Sequence, residues 1–301
     1  MNLTLSIGGS IISIRELNGY PTLAWPLPPF EPFLFDDPRS VDLRVDLELV
    51  PNLPAGNGGT LRFDAGHGLW RLFETEAGLM LESLHTATHQ PRARALVSQD
   101  YRTVRAWMLP EPFDGEVGWC PMYLFNPLIE VCFVSRLALD HGVLLHASGL
   151  LHRGHGFAFV GPSGAGKSTI ARWFAAAGAK VLSDERILLR RRNGAIDIWG
   201  TPWVGSGEFA ANARGELTSL YTIAHGNGHH VFHALQPGQV LPILIQQTIL
   251  PQWDRGLMER TLDTLEALAS TMPCDRLAAL NRADVVDVVH ARTSCPTGAA
   301  R

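Results

Sequence analysis

Apolar and polar residues alternate along several short stretches in the first part of the chain. The alternation is regular over 41–49, where every second residue is apolar, and shorter stretches of mixed polarity follow at 60–63 and 69–73. Glycine-containing segments at 56–59 and 65–68 separate these stretches. A period of two is typical of strands with one buried face, and glycine clusters are typical of turns. We therefore predict a β-rich N-terminal domain.

Proline dominates the segment 25–33, WPLPPFEPF. Proline removes the backbone donors that a helix or a strand interior needs, so this segment is predicted to be an extended, ordered loop. Its aromatic residues, Trp25, Phe30 and Phe33, are expected to be exposed. An exposed aromatic row of this kind could dock an extended peptide.

The pattern changes near residue 126. Asn126 suits a helix N-cap, Pro127 suits the first helical position, and Gly142 suits the residue after the helix ends. This helix is predicted to open a second domain. The resulting domain boundaries are 1–125 for the β-rich domain, 126–292 for the second domain and 293–301 for a disordered tail.

The second domain mixes strand and helix patterns. Apolar runs at 143–151 and 157–160, separated by the turn 153–156, predict a hairpin, and 181–182 predicts a further strand. An apolar stripe at helical spacing predicts a long helix over 254–272. The predicted fold class is therefore α/β, with a smaller β-rich N-terminal domain ahead of an α/β domain.

Composition excludes several function classes. The chain has 301 residues, 46% of them hydrophobic and 18% charged, with a formal net charge of -4. Such a chain is globular, and its charge gives no reason to expect nucleic acid or an acidic membrane surface as a partner. No apolar run is long enough to span a bilayer, and the N-terminus does not resemble a secretion signal. The four cysteines are not spaced as a disulfide scaffold or zinc site, so we expect a cytoplasmic protein.

The segment GPSGAGKS matches the phosphate-loop pattern G-x-x-x-x-G-K-[ST] in full. An apolar stretch precedes it and a predicted helix follows it, as the motif requires. Glycines allow backbone N–H groups to converge on phosphate, the lysine brings a cation to the β- and γ-phosphates, and the final serine can ligate Mg²⁺. The nucleotide-binding residues are therefore predicted to be Gly161, Pro162, Ser163, Gly164, Ala165, Gly166, Lys167, Ser168 and Thr169.

Two acidic residues follow the next predicted strand. Asp184 and Glu185 come one helix and one turn after Lys167. A strand parallel to the loop-bearing strand and beside it would place both carboxylates near the γ-phosphate. One of them would then hold Mg²⁺, together with Ser168, and the other would accept the proton of an incoming hydroxyl. The sequence leaves open which residue has which role.

These residues together resemble the catalytic domain of HPr kinase/phosphorylase. The resemblance is stronger to the HPr-kinase-related kinases of bacterial peptide-modification clusters, such as lasso-peptide precursor kinases. It covers roughly 127–290 and comprises His146 one hairpin before the phosphate loop, the loop itself, the step Asp184-Glu185-Arg186, and the step Gly200-Thr201-Pro202-Trp203. Thr169 stands where HPr kinase/phosphorylase has a glutamate, which argues against HPr itself as the acceptor.

The resemblance implies a P-loop kinase that uses ATP and Mg²⁺ to phosphorylate a serine hydroxyl of a peptide or protein. It implies that Lys167, Ser168, Asp184 and Glu185 act at the reaction centre, with His146 close to the acidic pair. Arg214 is a further candidate, because a guanidinium suits the stabilisation of transferring phosphoryl charge. The segment 205–208 after Trp203 is predicted to be a flexible lid or acceptor loop.

Alternatives remain for the function and for the first domain. A small-molecule kinase with the same domain, or a non-catalytic NTP-binding regulator, would carry the same phosphate loop. The β-rich domain would select the acceptor, cover the catalytic domain or build a homo-oligomer. The histidine-rich segment 225–233 is interpreted as a solvated loop near the acceptor site, with a hairpin-turn signal at Asn227-Gly228. A structural zinc site is the alternative for this segment. We interpret the run 190–192 as a solvated strand edge before a turn.

Overall fold

The computed structural model describes residues 2–19, 28–36, 40–56, 58–66, 69–113, 116–118, 124–192 and 194–294. The chain divides into two compact units. The first comprises Met1–Leu139 and Pro251–Met258, and the second comprises Asp140–Leu250 and Glu259–Arg301. The first unit thus extends beyond the boundary predicted after residue 125, and it includes a short segment from late in the chain.

The first unit is built on a large sheet. Its described strands are β1 (Asn2–Ile7), β2 (Ser10–Glu16), β3 (Leu43–Leu49), β4 (Thr60–Asp64), β5 (Trp70–Thr75), β6 (Gly78–Leu84), β7 (Pro91–Val97), β8 (Thr103–Met108), β9 (Glu111–Phe113) and β10 (Glu116–Gly118). The first eight form one sheet in the order β1-β2-β3-β8-β7-β6-β5-β4, and β9 pairs with β10. Strand β3 buries every second residue from Leu43 onward, as the alternating pattern predicts.

The proline-rich segment differs from its prediction. Pro28–Phe33 forms a 3-10 helix rather than an extended loop, and residues 25–27 lie outside the described residues. Phe30 and Phe33 are buried, not exposed, and the Phe30 ring lies 4.4 Å from that of Phe125. A 3-10 turn tolerates proline because it is short, and its period turns both rings inward. These two aromatic side chains belong to the core, so they are not available to dock a peptide.

The predicted helix near residue 126 begins later than expected. Asn126 has extended backbone angles inside a wide helical turn, Leu124–Ile129, and helix α1 runs over Glu130–Leu139. The left-handed turn that follows uses His141, with a φ of 52°, whereas Gly142 already starts the next strand. By its contacts α1 belongs to the first unit.

The second unit contains the strands β11 (Gly142–His152), β12 (His155–Val160), β13 (Lys180–Ser183), β14 (Arg186–Arg192), β15 (Ala195–Trp199), β16 (Arg214–His225), β17 (Val231–Ala234) and β18 (Cys274–Ala279). Its helices are α2 (Lys167–Ala176), α3 (Pro237–Gln247), α4 (Arg255–Thr271), whose first turn lies in the first unit, and α5 (Val285–Ser294). The predicted long helix and the predicted β11–β12 hairpin are confirmed. Of the predicted disordered tail, Thr293 and Ser294 are helical and the remainder lies outside the described residues.

The strands β12, β11, β14, β15 and β16 of the second unit form a closed ring, because β16 also pairs with β12. Strand β11 pairs antiparallel with β14 through its first half, and with β12 and β13 through its second half. Strand β16 pairs antiparallel with β15 and parallel with both β12 and β18. Strand β17 joins β18, so the turn at Asn227-Gly228 does not close a hairpin with β16, contrary to the prediction. Gly194 turns β14 into β15, as predicted for the end of the arginine run.

Two apolar clusters cover the two faces of these strands. One contains Phe157 and Phe159 of β12 with residues of α2 and α5, including Phe174 and Val289. The other contains side chains of β11 to β16 with residues of α3 and α4. The phosphate-loop strand β12 is therefore buried on both faces, which fixes the position of the loop that follows it. Among the described residues, no helix has the length and apolar character needed to cross a membrane.

A pair of buried histidines makes the stability of the second unit dependent on pH. The carbonyl of Ala177 accepts a hydrogen bond from His152 Nε2, so His152 Nδ1 accepts one from His290 Nε2, at 2.8 Å. Burial lowers the pKa of His290, and the proximity of His152, Arg153 and His155 lowers it further, whereas Asp287 raises it. Protonation of His290 is therefore less favourable in the folded chain than in the unfolded chain.

We expect the free energy of unfolding to decrease as the pH falls below about 6.5, the ordinary pKa of histidine. Because the pKa of His290 is lower in the folded chain than in the unfolded chain, the unfolded chain binds more protons. The contribution of His290 to stability is therefore complete above about pH 6.5 and is lost as the pH falls through the pKa of the folded chain. Urea titrations between pH 8 and pH 5 measure this, and His290→Phe should flatten the dependence. The exposed His229 provides the matched control, His229→Phe, which should leave it unchanged. An equal acid dependence in all three chains would contradict the assignment.

Candidate active site

The phosphate loop leaves β12 at Val160 and enters α2 at Lys167. Gly164 and Gly166 have φ values of 80° and 104°, in the left-handed region that favours glycine. A Cβ atom at either position would meet no atom within 4 Å, so the space in front of these residues is open. The loop thus has the backbone conformation of an anion cradle at a helix N-terminus.

Lys167 is almost completely buried, with 6% of its surface exposed. Its ammonium group donates hydrogen bonds to the carbonyls of Gly161, at 2.8 Å, and Pro162, at 3.1 Å. Burial lowers the pKa of Lys167, while the negative charges of Glu185 and Asp184 raise it. The ammonium is therefore held at the loop by two carbonyls and faces two carboxylates, a position from which it can reach a bound phosphate.

His225 supports the apex of the loop from the end of β16. Its Nε2 lies 3.1 Å from the carbonyl of Gly164 and, as the acceptor is a carbonyl, donates the hydrogen bond. The sequence predicts a solvated loop near the acceptor site at this position. The structure places it beside the nucleotide loop because β16 runs parallel to β12 and ends at the same edge of the sheet.

The acidic pair interrupts a strand that lies along β11. Gly149 of β11 pairs with Ser183 at the end of β13, and His146 pairs with Arg186 at the start of β14. Asp184 and Glu185 lie between these two pairs. The expectation that β13 lies directly beside the loop-bearing strand is wrong, because β11 lies between β13 and β12 and is antiparallel to both. The carboxylates nevertheless reach the phosphate loop, since they leave the strand at the same edge.

Asp184 is fully buried and holds a glycine-rich loop. Its two carboxylate oxygens accept hydrogen bonds from the backbone N–H groups of Gly205, at 3.0 Å, and Gly207, at 2.7 Å. The hydroxyl of Ser183 donates to the carbonyl of Trp203, at 2.9 Å, and so holds the start of the same segment. We call residues 203–207 the acid-bound loop. The segment predicted to be a flexible lid is thus bound to Asp184, and the residue two positions before it is bound to Ser183.

Glu185 accepts a hydrogen bond from His146. Its Oε1 lies 3.1 Å from His146 Nδ1, and both side chains are about one third exposed. Burial lowers the pKa of His146, and the charge of Lys167 lowers it further, whereas Glu185 raises it. Because an ionised carboxylate can only accept, Nδ1 carries the shared proton, and Nε2 of a neutral His146 is an acceptor.

These groups line one open cavity of about 350 Å³. The lining residues are His146, Ser163, Gly164, Gly166, Lys167, Ser168, Thr169, Arg172, Asp184, Glu185 and Ser206. We call this cavity the phosphate pocket. It brings together six of the nine predicted loop residues, the acidic pair and the predicted histidine, whereas Gly161, Pro162 and Ala165 are not among the lining residues. It also contains Arg172, which was not predicted. Arg172 lies one helical turn after Ser168 on α2, so the periodicity of the helix contained the signal.

Arg214 is not among the residues that line the phosphate pocket. It lies at the start of β16, where it pairs with Trp199, and its guanidinium lies over the Trp199 ring at 5.2 Å. Strand β16 reaches the phosphate loop at its other end, where Thr222 pairs with Val160. The structure therefore does not bring Arg214 to the acidic pair or to the loop, and Arg172 is the guanidinium that lines the pocket.

The donor set of the pocket fits a magnesium-bound triphosphate. Serine hydroxyl and carboxylate oxygens are the ligands that Mg²⁺ prefers, and this ion usually takes only one or two carboxylates and completes its shell with phosphate and water. The described residues contain no group of three or more His, Cys, Asp or Glu side chains arranged to hold a metal. The open cradle before Gly164 and Gly166 provides the space for the phosphates.

We expect Gly207→Ala to displace the acid-bound loop. A Cβ atom at this position would lie 2.7 Å from Asp184 Oδ2 and 2.8 Å from the Phe209 ring, so the loop must move away from the carboxylate. The expected loss in free energy of unfolding is about 1–3 kcal/mol, measured by urea titration. Gly238→Ala is the matched control, because nothing lies within 4 Å of its Cβ position in α3. Equal stability of both variants would show that the loop is not held as described.

The chain was compared with family models, curated proteins and solved structures. No family model matches the chain, and no curated protein matches it. Among solved structures, the chain is similar to the HPr(Ser) kinase/phosphatase from Coxiella burnetii, with 12% sequence identity and a TM-score of 0.32. The similarity covers 50% of this chain and 95% of that chain. A similarity at this level gives no argument for an activity, so the functional conclusion depends on the site itself.

Proposed function

We propose that the chain is an ATP-dependent kinase that transfers the γ-phosphoryl group to a serine hydroxyl of a peptide or protein. The observation that supports it is the phosphate pocket, which combines a complete phosphate loop with two carboxylates and a histidine. A nucleotide-binding module needs only the loop. Phosphoryl transfer to a hydroxyl also needs a proton acceptor opposite the γ-phosphate, and the acidic pair supplies it.

The charges of the pocket suit the phosphoryl group during transfer. Lys167, Arg172 and the N-terminal end of α2 are all positive and all border the same cavity. Positioning and charge stabilisation account for most of the catalysis of phosphoryl transfer. Lys167 must leave the carbonyls of Gly161 and Pro162 to contact a phosphate, an exchange of one set of oxygen acceptors for a more strongly charged one.

The two carboxylates have different surroundings, which favours different roles. Both oxygens of Asp184 are engaged by the acid-bound loop, and the residue is fully buried. Glu185 is partly exposed and is oriented by His146. We assign Glu185, with His146 beside it, to accept the proton of the acceptor hydroxyl, and Asp184 to position the acid-bound loop. Ser168, with one or both carboxylates, would hold Mg²⁺, which supplies charge neutralisation of the triphosphate when bound.

Serine on a peptide or protein is the acceptor that the sequence resemblance favours. The pocket is open to solvent, which an extended peptide requires. Small molecules with a hydroxyl group remain the alternative acceptors. A non-catalytic regulator would instead bind ATP and leave its phosphates intact or release only free phosphate.

The test uses the full chain with Mg²⁺ and ATP labelled in the γ-phosphate. A library of serine peptides is added beside the same peptides with serine replaced by alanine. We expect label in the serine peptides only, detected by mass spectrometry. Label in small hydroxyl compounds but not in peptides would favour the small-molecule kinase, whereas free phosphate alone would contradict the kinase proposal.

A further inference from the structure

The phosphate pocket contains a serine from the protein itself. Ser206, in the middle of the acid-bound loop, lines the pocket together with the phosphate loop and the acidic pair. The other lining hydroxyls, those of Ser163, Ser168 and Thr169, belong to the phosphate loop and the start of α2. Within the described lining, Ser206 therefore supplies the hydroxyl that does not come from the nucleotide-binding segment.

The backbone around Ser206 is fixed on three sides. The N–H groups of its two neighbours, Gly205 and Gly207, donate to Asp184. Its own carbonyl accepts a hydrogen bond from Arg172 Nη2, at 3.1 Å. Neither neighbour has room for a side chain, because a Cβ atom at Gly205 or Gly207 would lie 3.0 or 2.7 Å from Asp184 Oδ2. The loop thus holds the exposed Ser206 against the reaction groups.

The groups around Ser206 are those that a phosphoryl acceptor requires. Glu185 Oε1 bonds to His146, whereas Oε2 faces the loop, 3.1 Å from the Cβ position of Gly205. Arg172 contacts the Ser206 carbonyl, and a guanidinium pairs well with a phosphate group. A hydroxyl at this point therefore has a carboxylate for its proton and a cation for the phosphate it would receive.

We propose that Ser206 is a site of autophosphorylation within the same chain. The inference rests on the proposed function, since it uses the same pocket and the same triphosphate. In the step, an electron pair of Ser206 Oγ forms a bond to the γ-phosphorus. The bond from that phosphorus to the β,γ-bridging oxygen breaks, and its electron pair leaves with ADP. The hydroxyl proton passes to the Glu185 carboxylate.

The experiment uses the full chain with Mg²⁺ and ATP and no added acceptor. We expect a mass increase of one phosphate (about 80 Da), mapped by peptide mass spectrometry to position 206, and its loss in Ser206→Ala. Ser206→Thr should retain the phosphate at that position. Ser270→Ala is the matched control, because Ser270 is exposed on α4 outside the pocket. This variant should be phosphorylated at position 206 as the wild-type chain is.

Two further measurements separate the possible failures. Mixing the wild-type chain with Lys167→Ala should leave the variant unphosphorylated, and phosphate at position 206 of that variant would contradict transfer within one chain. Phosphorylation of added peptides without any phosphate on Ser206 would overturn this inference and leave the proposed function standing. Production of ADP and free phosphate alone would contradict both. Absence of ADP, peptide phosphate and phosphate on Ser206 would contradict both.

Discussion

Lys167→Ala is expected to lose triphosphate-dependent turnover by at least about 10²–10³-fold, the range observed when one preorganised charge-stabilising group is removed. Lys167 is the ammonium of the phosphate pocket, and a methyl group in its place provides no charge for the γ-phosphate. Phosphate transfer and ADP release measure the loss. The near-ultraviolet circular dichroism spectrum should remain that of the wild-type chain.

The chain offers a direct control for this variant. It contains two lysines, Lys167 and Lys180, and Lys180 is exposed at the start of β13. Lys180→Ala should retain full activity. Lys167→Arg should be nearly as inactive as Lys167→Ala, because a buried site fitted to an ammonium does not accept the larger planar guanidinium. Undiminished transfer by Lys167→Ala would remove the functional assignment.

Asp184→Asn is expected to lower kcat by about 10²-fold, the loss that misplacement of reacting groups by about 1 Å can cause, while the KM for ATP changes much less. The carboxylate accepts two backbone N–H groups, but an amide has one oxygen and one NH₂ group, so one N–H of the acid-bound loop would face another donor. The acid-bound loop should therefore lose its position, and the pocket should lose one negative charge. Steady-state kinetics over a range of ATP concentrations measure both constants.

The matched control for this variant is Asp263→Asn, which changes an exposed carboxylate on α4. It should leave both kinetic constants unchanged. Urea titration of Asp184→Asn should show a loss of about 1–3 kcal/mol for an unsatisfied buried donor. An unchanged kcat with a raised KM would assign Asp184 to nucleotide binding alone and would contradict its place at the reaction centre.

Local patterns predicted the parts of the site that depend on local geometry. The phosphate loop follows from a contiguous motif between a strand and a helix, and the hairpin before it follows from two apolar runs and a turn. The neighbour of β13 could not be predicted in this way. Which strand lies between two others depends on long-range pairing, and an interruption such as Asp184-Glu185 looks the same in sequence as the end of a strand.

Two other features could not be predicted because they depend on tertiary packing. Phe30 and Phe33 are surrounded by prolines, which favour exposure in a loop, yet a short 3-10 helix turns both into the core. The second feature is the contact between Arg172 and Ser206. They meet in the pocket because α2 starts at the phosphate loop and the acid-bound loop is drawn in by a buried carboxylate.

Strand β11 lies between the strand before the phosphate loop and the strand after the acidic pair. On one side Ala147 pairs with Val160, directly before the phosphate loop, and on the other side His146 pairs with Arg186, directly after the acidic pair. Two strand spacings, about 10 Å, therefore separate β12, which leads into the phosphate loop, from β14, which follows the acidic pair. A one-residue slip of β11 would turn His146 to the opposite face, so the alignment of the chemical groups is encoded in backbone register rather than in a mobile segment.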